Sequence, residues 1–459
     1  MKKVMPILLL LPLLLLLASC QDISSGSYPE GWEDAKGELV MNTFFNDSTA
    51  LEYGLVKDFN KAHPEASINL NGFTSMMEAM ESMASVTELE NRYAQRLATE
   101  LMGGEADYIL NDSGVLDPTK FAETGLFYDI FEWMENDPDF DKEDYFYNIF
   151  ESCAYDGHLY SMPTAFVLTS VYLNKTITDR LGLAFEPLDR ITYKELLQIR
   201  KDAVAQGLMG ADIPLEFGGN GTTARQYINS AELQEYVDLE THSASFDSPE
   251  FVEMLEETAE VFAPTAPDLS MGYGIYSFAN AVTSGDTCSL LSFYSLALDT
   301  SAANYCPIDQ PPEGCVGPLV LVSTKGHLVC NQGATISVPK SCTQPDLAWK
   351  FMKFCIESPE KSLDQEDAGS VDITCGRLPV NRKNLTAYAK QYGTFSSEDS
   401  PVQVKLEEIM EDIHTANSGL GAVEKIVTPI MDEYYEKGVL TPEECAKKMQ
   451  DKAWIYLNE

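Results

Sequence analysis

The chain has 459 residues, enough for two or three domains at roughly 150 residues each. Apolar residues make up 44% and charged residues 22%, and 29 glycines with 23 prolines are too few for a collagenous or low-complexity chain, which excludes wholesale disorder and leaves material for a sizeable core. Against 31 Lys and Arg stand 72 Asp and Glu, a net charge of −41 that repels nucleic acid and anionic lipid surfaces and disfavours polyanionic substrates outside a local basic pocket.

Lys2 and Lys3 precede a nearly all-apolar run from Val4 to Leu17 that contains Pro6 and Pro12. The run falls short of the ~20 apolar residues a spanning helix needs, and two prolines weaken it as a helix, so it reads as a secretory signal. No later segment is apolar enough to span a bilayer. Leu17-Ala18-Ser19-Cys20 resembles a bacterial lipobox, which implies cleavage after residue 19 and lipidation of the Cys20 thiol. Residues 20–36 are polar and aperiodic, as expected of a flexible tether. Each buried lipid methylene contributes about 0.8 kcal/mol and stable anchoring takes more than one chain, so a multiply acylated Cys20 would hold the body at the outer face of the cell membrane.

Leu39 to Phe45 reads as a buried strand, and Asp47 or Ser48 is placed to cap a helix with the stripe Leu51, Leu55, Val56 and Phe59, stopped at His63-Pro64. Ile68 and Leu70 alternate as a second strand. The box Thr87 to Glu90 opens a second helix that ends at Gly103-Gly104, and Asp107 to Leu110 is a third strand. This β-α-β-α-β order implies an α/β fold with a mainly parallel sheet covered on both faces, whose ligands sit beyond the carboxyl ends of the strands. Those ends are Phe44-Phe45-Asn46 and Asn111-Asp112-Ser113.

A second unit repeats the pattern. Leu168 to Leu173 is a strand, Thr192 to Glu195 a capping box for a helix running to Gly207, and Ile213 to Phe217 a strand followed by Gly218-Gly-Asn-Gly-Thr-Thr223 and a helix. Cys288 to Tyr294 and Thr335 to Val338 are further strands, the latter followed by a helix with Ala348, Phe351, Met352 and Cys355 on its apolar stripe. Two helices close the chain. One carries Val423, Ile426, Val427, Ile430, Met431 and Tyr434 on one face. The other starts at the box Thr441 to Glu444 with Pro442 at its first position and buries Cys445, Met449, Ala453 and Leu457.

Several segments, in order, resemble the extracellular solute-binding proteins of ABC importers, the family that includes maltose-binding proteins. They are the helix-His63-Pro64-strand unit, Gly104 to Ile109, the run Asp156 to Pro163 with Val171 to Lys175, the helix Ala348 to Phe354, Gly376 to Pro379, and Glu433 to Gly438 before the last capped helix. The resemblance implies a two-lobe fold, each lobe a mainly parallel sheet flanked by helices, with a ligand between the lobes and the chain crossing a hinge three times. The crossings are expected near 129, 325 and 377. Lobe one is then 37–129 with 326–376, and lobe two 130–325 with 377–459. It also implies ABC permease subunits as partners, a monomer, and no cofactor.

The five His lie apart with no helical pair, and Asp137-Pro-Asp139-Phe-Asp141 lacks the Gly and Glu of a calcium loop, so no metal site is expected and a solvated acidic turn is. Gly218 to Thr223 lacks the lysine of a phosphate loop and reads as a ligand loop carrying Asn220 and Thr222. Beyond Cys20, nine cysteines cannot all pair and none forms C-x-x-C; Cys306 and Cys315 flank a Pro-rich loop at bridging distance in sequence. Met76, Met77, Met80 and Met83 read as core at helical spacing. Phe45, Phe166, Phe217, Phe293 and Tyr294 lie at or near strand ends, where aromatic faces suit the apolar face of a pyranose. Asn46, Asn111, Asp112, Ser113, Asn220, Thr222 and Ser295 are candidate partners for its hydroxyls, and Arg377 sits beside the third crossing. A surface-anchored glycoside-cleaving enzyme is the competing reading. It stands second because no spacing singles out a carboxylate pair and no G-x-S-x-G elbow occurs.

Overall fold

Strand β1 (Gly37–Phe45) is buried on both faces, since successive side chains point to opposite sides of the sheet. Leu39 and Met41 join one core with Val56, Phe59 and Ile68, while Phe44 joins another with Tyr93 and Leu97. The helices Tyr53–Ala62 and Val86–Met102 supply those two covers. β2 (Ala66–Thr74) and β3 (Ile109–Asp112) pair in parallel with β1, with Leu39 opposite Ile68 and Asn42 opposite Leu110. The computed structural model describes residues 28–45, 53–81, 86–112, 116, 121, 124–213, 215–217, 227–259, 275–287, 289–296, 306–357, 377–392, 394–397, 400–417 and 420–458. The expected helix caps Asp47 and Ser48 lie outside them. The second helix begins at Val86, so Thr87 stands inside the first turn rather than at the cap.

The remaining strands are β4 (Met162–Asn174), β5 (Arg190–Thr192), the hairpin β6 (Val237–Asp238) and β7 (Ser243–Ala244), β8 (Leu291–Leu296), β9 (Cys315–Val322), β10 (Val329–Ser337), β11 (Leu378–Pro379) and β12 (Thr415–Ala416). Apart from the hairpin they form one ten-stranded sheet in the order β2-β1-β3-β10-β4-β9-β5, with β8 and β11 also on β4 and β12 on β10. Pairing is parallel at its flanks and antiparallel about β4, because β9 and β10 return along the whole length of β4. The expected strand Ile213 to Phe217 reduces to a single bridge between Glu216 and Leu291. The boxes at Thr192–Glu195 and Thr441–Glu444 both form reciprocally. The last helix, Pro442–Asn458, buries Cys445, Met449 and Ala453. The one before it, Gly421–Tyr435, buries Tyr435 and leaves Tyr434 partly exposed.

The two lobes divide differently from the sequence expectation. Residues 130–161 share a core with β1 and β2 through Trp133, Met134, Ile149 and Phe150, and the helices Arg382–Tyr392 and Pro401–Glu411 add Leu385, Leu406 and Ile409 to the same core. The second lobe's core takes Val171, Leu196, Phe251, Leu319, Val423 and Met449. The first crossing therefore falls where β4 leaves β10 at Val167 and picks up β8 at Leu168, not near 129. β9 ends at Val322 and β10 starts at Val329, so the second crossing is 323–328, and Leu378 pairs with Phe166 at the third.

Part of the reason 130–161 stays with lobe one is ionic. Asp137, expected in a solvated turn, is 4% exposed and bonds Lys353 at 2.8 Å, itself 3% exposed, and Trp349 Nε1 at 2.9 Å. Its other oxygen accepts from the Asp139 amide, and the Lys353 ammonium lies 4.3 Å from the Trp32 ring centroid. Met77, expected in the core, is 69% exposed.

The second crossing is gripped by carboxylates from a π turn, Ile228–Glu232, and the helix Leu233–Tyr236. Buried Glu232 accepts from Thr324 Oγ1 at 2.9 Å and from the Thr324 amide and the Tyr227 hydroxyl, while Glu235 lies 2.7 Å from His327 Nδ1 and 3.1 Å from Lys325 Nζ.

Two expectations follow from these buried charges. Lys353→Met leaves Asp137 buried without its counter-charge and should cost about 3–5 kcal/mol in chemical denaturation with the slope unchanged; a loss under about 1 kcal/mol would mean that water reaches Asp137. Burial raises the Glu232 pKa above its ordinary value, so its contribution is fullest below about 4.3 and is lost as pH rises through the folded-state value. Melting temperatures of Glu232→Gln relative to wild type should therefore move in favour of the variant between about pH 4 and pH 7. A difference that stays constant over that range contradicts the assignment.

Candidate functional site

Every even-numbered residue of β4 is buried, with Met162, Phe166 and Leu168 in the core that backs the sheet. On the odd face Pro163 is buried at one end and Val171 and Leu173 at the other, but Ala165, Val167 and Thr169 between them are half exposed. This window opens where the chain passes from one lobe to the other, and its neighbours are polar. Asn331, opposite Val167 in the ladder, donates to Thr169 Oγ1 at 3.4 Å, and Asn417 donates to Asn331 Oδ1 at 2.8 Å. The Asn417 amide is tied to the Cys330 carbonyl. A hydroxyl that accepts keeps its own hydrogen to give, so Thr169 is left to donate outward. Thr169, Asn331 and Asn417 carry no charge, so they offer hydrogen bonds to a neutral polar ligand without the cost of desolvating an ion.

The candidate residues distribute about this window. Phe45 ends β1 half exposed, packed 4.8 Å from the Phe44 ring. Asn111 and the backbone of Asp112 end β3 beside it, where they pair with Ile336 and Thr335 of β10. Ser295 pairs with Thr169 in the β4–β8 ladder, while Tyr294 and Phe293 pair one and two positions deeper in lobe two. Arg377 is half-buried and directly precedes Leu378, the partner of Phe166. Phe166 itself is 0% exposed and part of the core wall. Phe217 packs 5.5 Å from Phe278 in a small cluster with Tyr172, Cys306 and Cys315. Asn46, Ser113, Asn220, Thr222 and Cys20 lie outside the described residues.

Sequence reading missed Val167, Thr169, Asn331 and Asn417. The available signal was the period of two: once Phe166 and Leu168 are read as core, Val167 and Thr169 must face the other way. The half-buried aromatics Phe73 and Tyr160, packed on the same cluster as Phe45, were also missed.

Covalent and metal chemistry find little support among the described residues. No group of three or more His, Cys, Asp or Glu there is placed to hold a metal ion. The seven described cysteines are all free and buried, Cys306 and Cys315 included, so the bridge considered between these two is not formed. Burial pushes the Cys315 and Cys445 thiols up to about 12 and Cys342 to about 11, which keeps them protonated and poorly nucleophilic. No described helix is long and apolar enough to cross a membrane.

No curated protein matches the chain by sequence. Among solved structures, the chain is similar to an ABC substrate-binding protein of Listeria monocytogenes in complex with cycloalternan, with a TM-score of 0.58 and 18% identity over 92% of this chain and 100% of that one. The sugar-binding protein MalE of Xanthomonas citri gives 0.57 and 15% over 92% and 98%. The cyclic α-maltosyl-1,6-maltose binding protein of Arthrobacter globiformis gives 0.56 and 17% over 92% and 99%. These likenesses establish the two-lobe fold. The profile of the bacterial extracellular solute-binding proteins matches residues 45–361, well over half of the sequence, and the chain belongs to that family.

Proposed function

We propose that this protein captures a neutral sugar or oligosaccharide between its lobes and delivers it to an ABC permease, held at the outer face of the cell membrane by a lipid on Cys20. The observation that carries the reading is the neutral, hydrogen-bonding window on β4 at the lobe boundary. Carbohydrate ligands named for the structural neighbours from Listeria and Arthrobacter support the solute class. In this reading Phe45 offers an apolar face from lobe one, Asn111, Asp112 and Ser113 accept or donate at the end of β3, and Thr169 and Ser295 do so from the crossing. From lobe two the candidates are Phe293, Asn220 and Thr222, whereas Phe217 is buried against Phe278 and Tyr294 pairs with buried Ser170, and Arg377 borders the hinge. Ligand that touches both lobes gains contacts only when they close, and that difference in affinity shifts the population towards the closed form. A permease can then read lobe closure rather than ligand chemistry. A binding protein of this kind releases its ligand unchanged, so oligosaccharides incubated with the protein should be recovered intact.

Calorimetric titration with maltose, a linear maltotetraose and a cyclic maltooligosaccharide tests the site. Asp112→Ala removes a charged acceptor, for which a bond is worth about 1.5–3 kcal/mol, and should weaken binding about tenfold or more. Thr169→Val removes one neutral donor and should weaken it by a smaller factor, about two- to tenfold. If both variants bind as wild type does, the site lies elsewhere. The anchor is tested separately: Cys20→Ser should appear in the soluble fraction after a salt wash, and a variant that stays with membranes contradicts lipidation at that thiol.

A further inference from the structure

Two thiols meet in the core of lobe one. Cys153 caps the end of the helix Tyr147–Ser152, and Cys330 is the second residue of β10, just past the 323–328 crossing. Successive side chains on a strand point to opposite faces, so Cys330 turns into the core where Asn331 turns to the window. Cys153 belongs to the same core, and the two residues are 4% and 0% exposed. Ser152 Oγ lies 3.9 Å from Cys153 Sγ and 3.8 Å from Cys330 Sγ, and the two thiols are hydrogen-bonded to each other. Sulfurs that face each other across two separate elements meet the first requirement of a bridge.

The surrounding polar groups tolerate the loss of both S–H donors. Ser152 Oγ donates to the Ile149 carbonyl at 2.8 Å, so towards the sulfurs it can only accept, and it keeps that partner when the thiol hydrogens are gone. A bond between the sulfurs therefore orphans no hydroxyl here. The leader at Lys2 to Leu17 reads as a secretory signal, which would bring the folding chain to a compartment where disulfides form and persist. We propose that Cys153 and Cys330 are joined by a structural disulfide in the exported protein, an inference that rests on the export proposed above. The bond forms during folding, before the core closes. In the native state the hydrogen bond from Cys153 and burial hold the Cys330 thiol well above its ordinary pKa, so almost no thiolate is present to react. In the open chain one of the two thiolates attacks a disulfide oxidant such as oxidised glutathione and releases one reduced glutathione. The other thiolate then displaces the second glutathione from the mixed disulfide. The two protein thiols lose two electrons and two protons, and one oxidised glutathione becomes two reduced ones.

The test isolates the protein, exported by its own leader, from the cell envelope with free thiols blocked by N-ethylmaleimide before lysis. Proteolysis without reductant and mass spectrometry should give one peptide pair linked through Cys153 and Cys330, lighter by two hydrogens than the reduced peptides together. Exported protein in which both peptides carry the maleimide overturns the proposal, and so does a link from either cysteine to a different one. This map needs no variant. A second arm refolds the denatured, reduced chain with oxidised glutathione and needs no export. The same pair should form, and the melting temperature should lie about 5 °C above that of protein refolded in reductant, the effect of closing a long loop. In Cys330→Ala both the link and that difference should vanish. Refolding that yields no Cys153–Cys330 link overturns the proposal as well. A chain kept in the cytoplasm with its leader attached contradicts the export reading instead, and the refolding arm then decides the bridge alone.

Discussion

Everything in this molecule hangs on β4 running unbroken through both lobes. Every even residue of this thirteen-residue strand is buried in both lobes, and the register shifts against β10 and β9 do not interrupt that pattern. That side is backed by a core that runs from Met162 and Phe166 past Leu168 to Val320 and Val322 on β9. The odd side is covered at its ends and open in the middle. The interlobe window is thus a consequence of parity together with the gap between two sets of covering helices, and needs no special local conformation. All three crossings converge on it: β4 itself, the β9–β10 return beside it, and Leu378–Pro379 against Phe166 and Ala165.

Around that axis the buried charges act as registration points. Asp137 and Lys353 are 216 residues apart in sequence and fix the 130–161 segment onto the helix Pro345–Glu357. Replacing such a pair by apolar groups often costs nothing, whereas removing one partner alone leaves an uncompensated buried charge, so the pair ties the two segments together only while both members are present. Glu232 and Glu235 do the corresponding work in lobe two, where they hold 323–328 at Thr324, Lys325 and His327. The crossing is thereby clamped on its lobe-two side. On the β10 side, Asn331 and Asn417 link the ladder to Thr169 by side-chain hydrogen bonds.

The parts legible in the sequence were those set by local pattern. The first β-α-β-α-β unit could be read because both faces of β1 are covered and its apolar run is continuous, and the boxes at Thr192 and Thr441 because capping is a matter of four consecutive residues. The position of the first crossing could not be read. Nothing in the run Met162 to Asn174 itself marks the point where partners change from β10 to β8 and β9, since pairing is set by strands more than a hundred residues on. The acidic run at Asp137 looked solvated because its counter-charge sits on a helix two hundred residues on. Phe166 looked available because aromatic content was weighed without the parity of its strand, and the same oversight hid Thr169. Asn417 was out of reach altogether, since a two-residue strand, Thr415–Ala416, brings it to Cys330.

The charge distribution then has a consistent physical reading. A surface this acidic neither attracts nor repels an uncharged sugar, so in the proposed reading capture would depend on hydrogen bonds and ring faces at the cleft rather than on steering. In the proposed reading the window itself needs no ion, since desolvating one costs free energy unless it is paired, and the one charged acceptor, Asp112, ends β3 beside it and would pair with ligand hydroxyls. Thr169, Asn331 and Asn417 meet that requirement by offering donors and acceptors that cost little to dehydrate once paired with a ligand's hydroxyls.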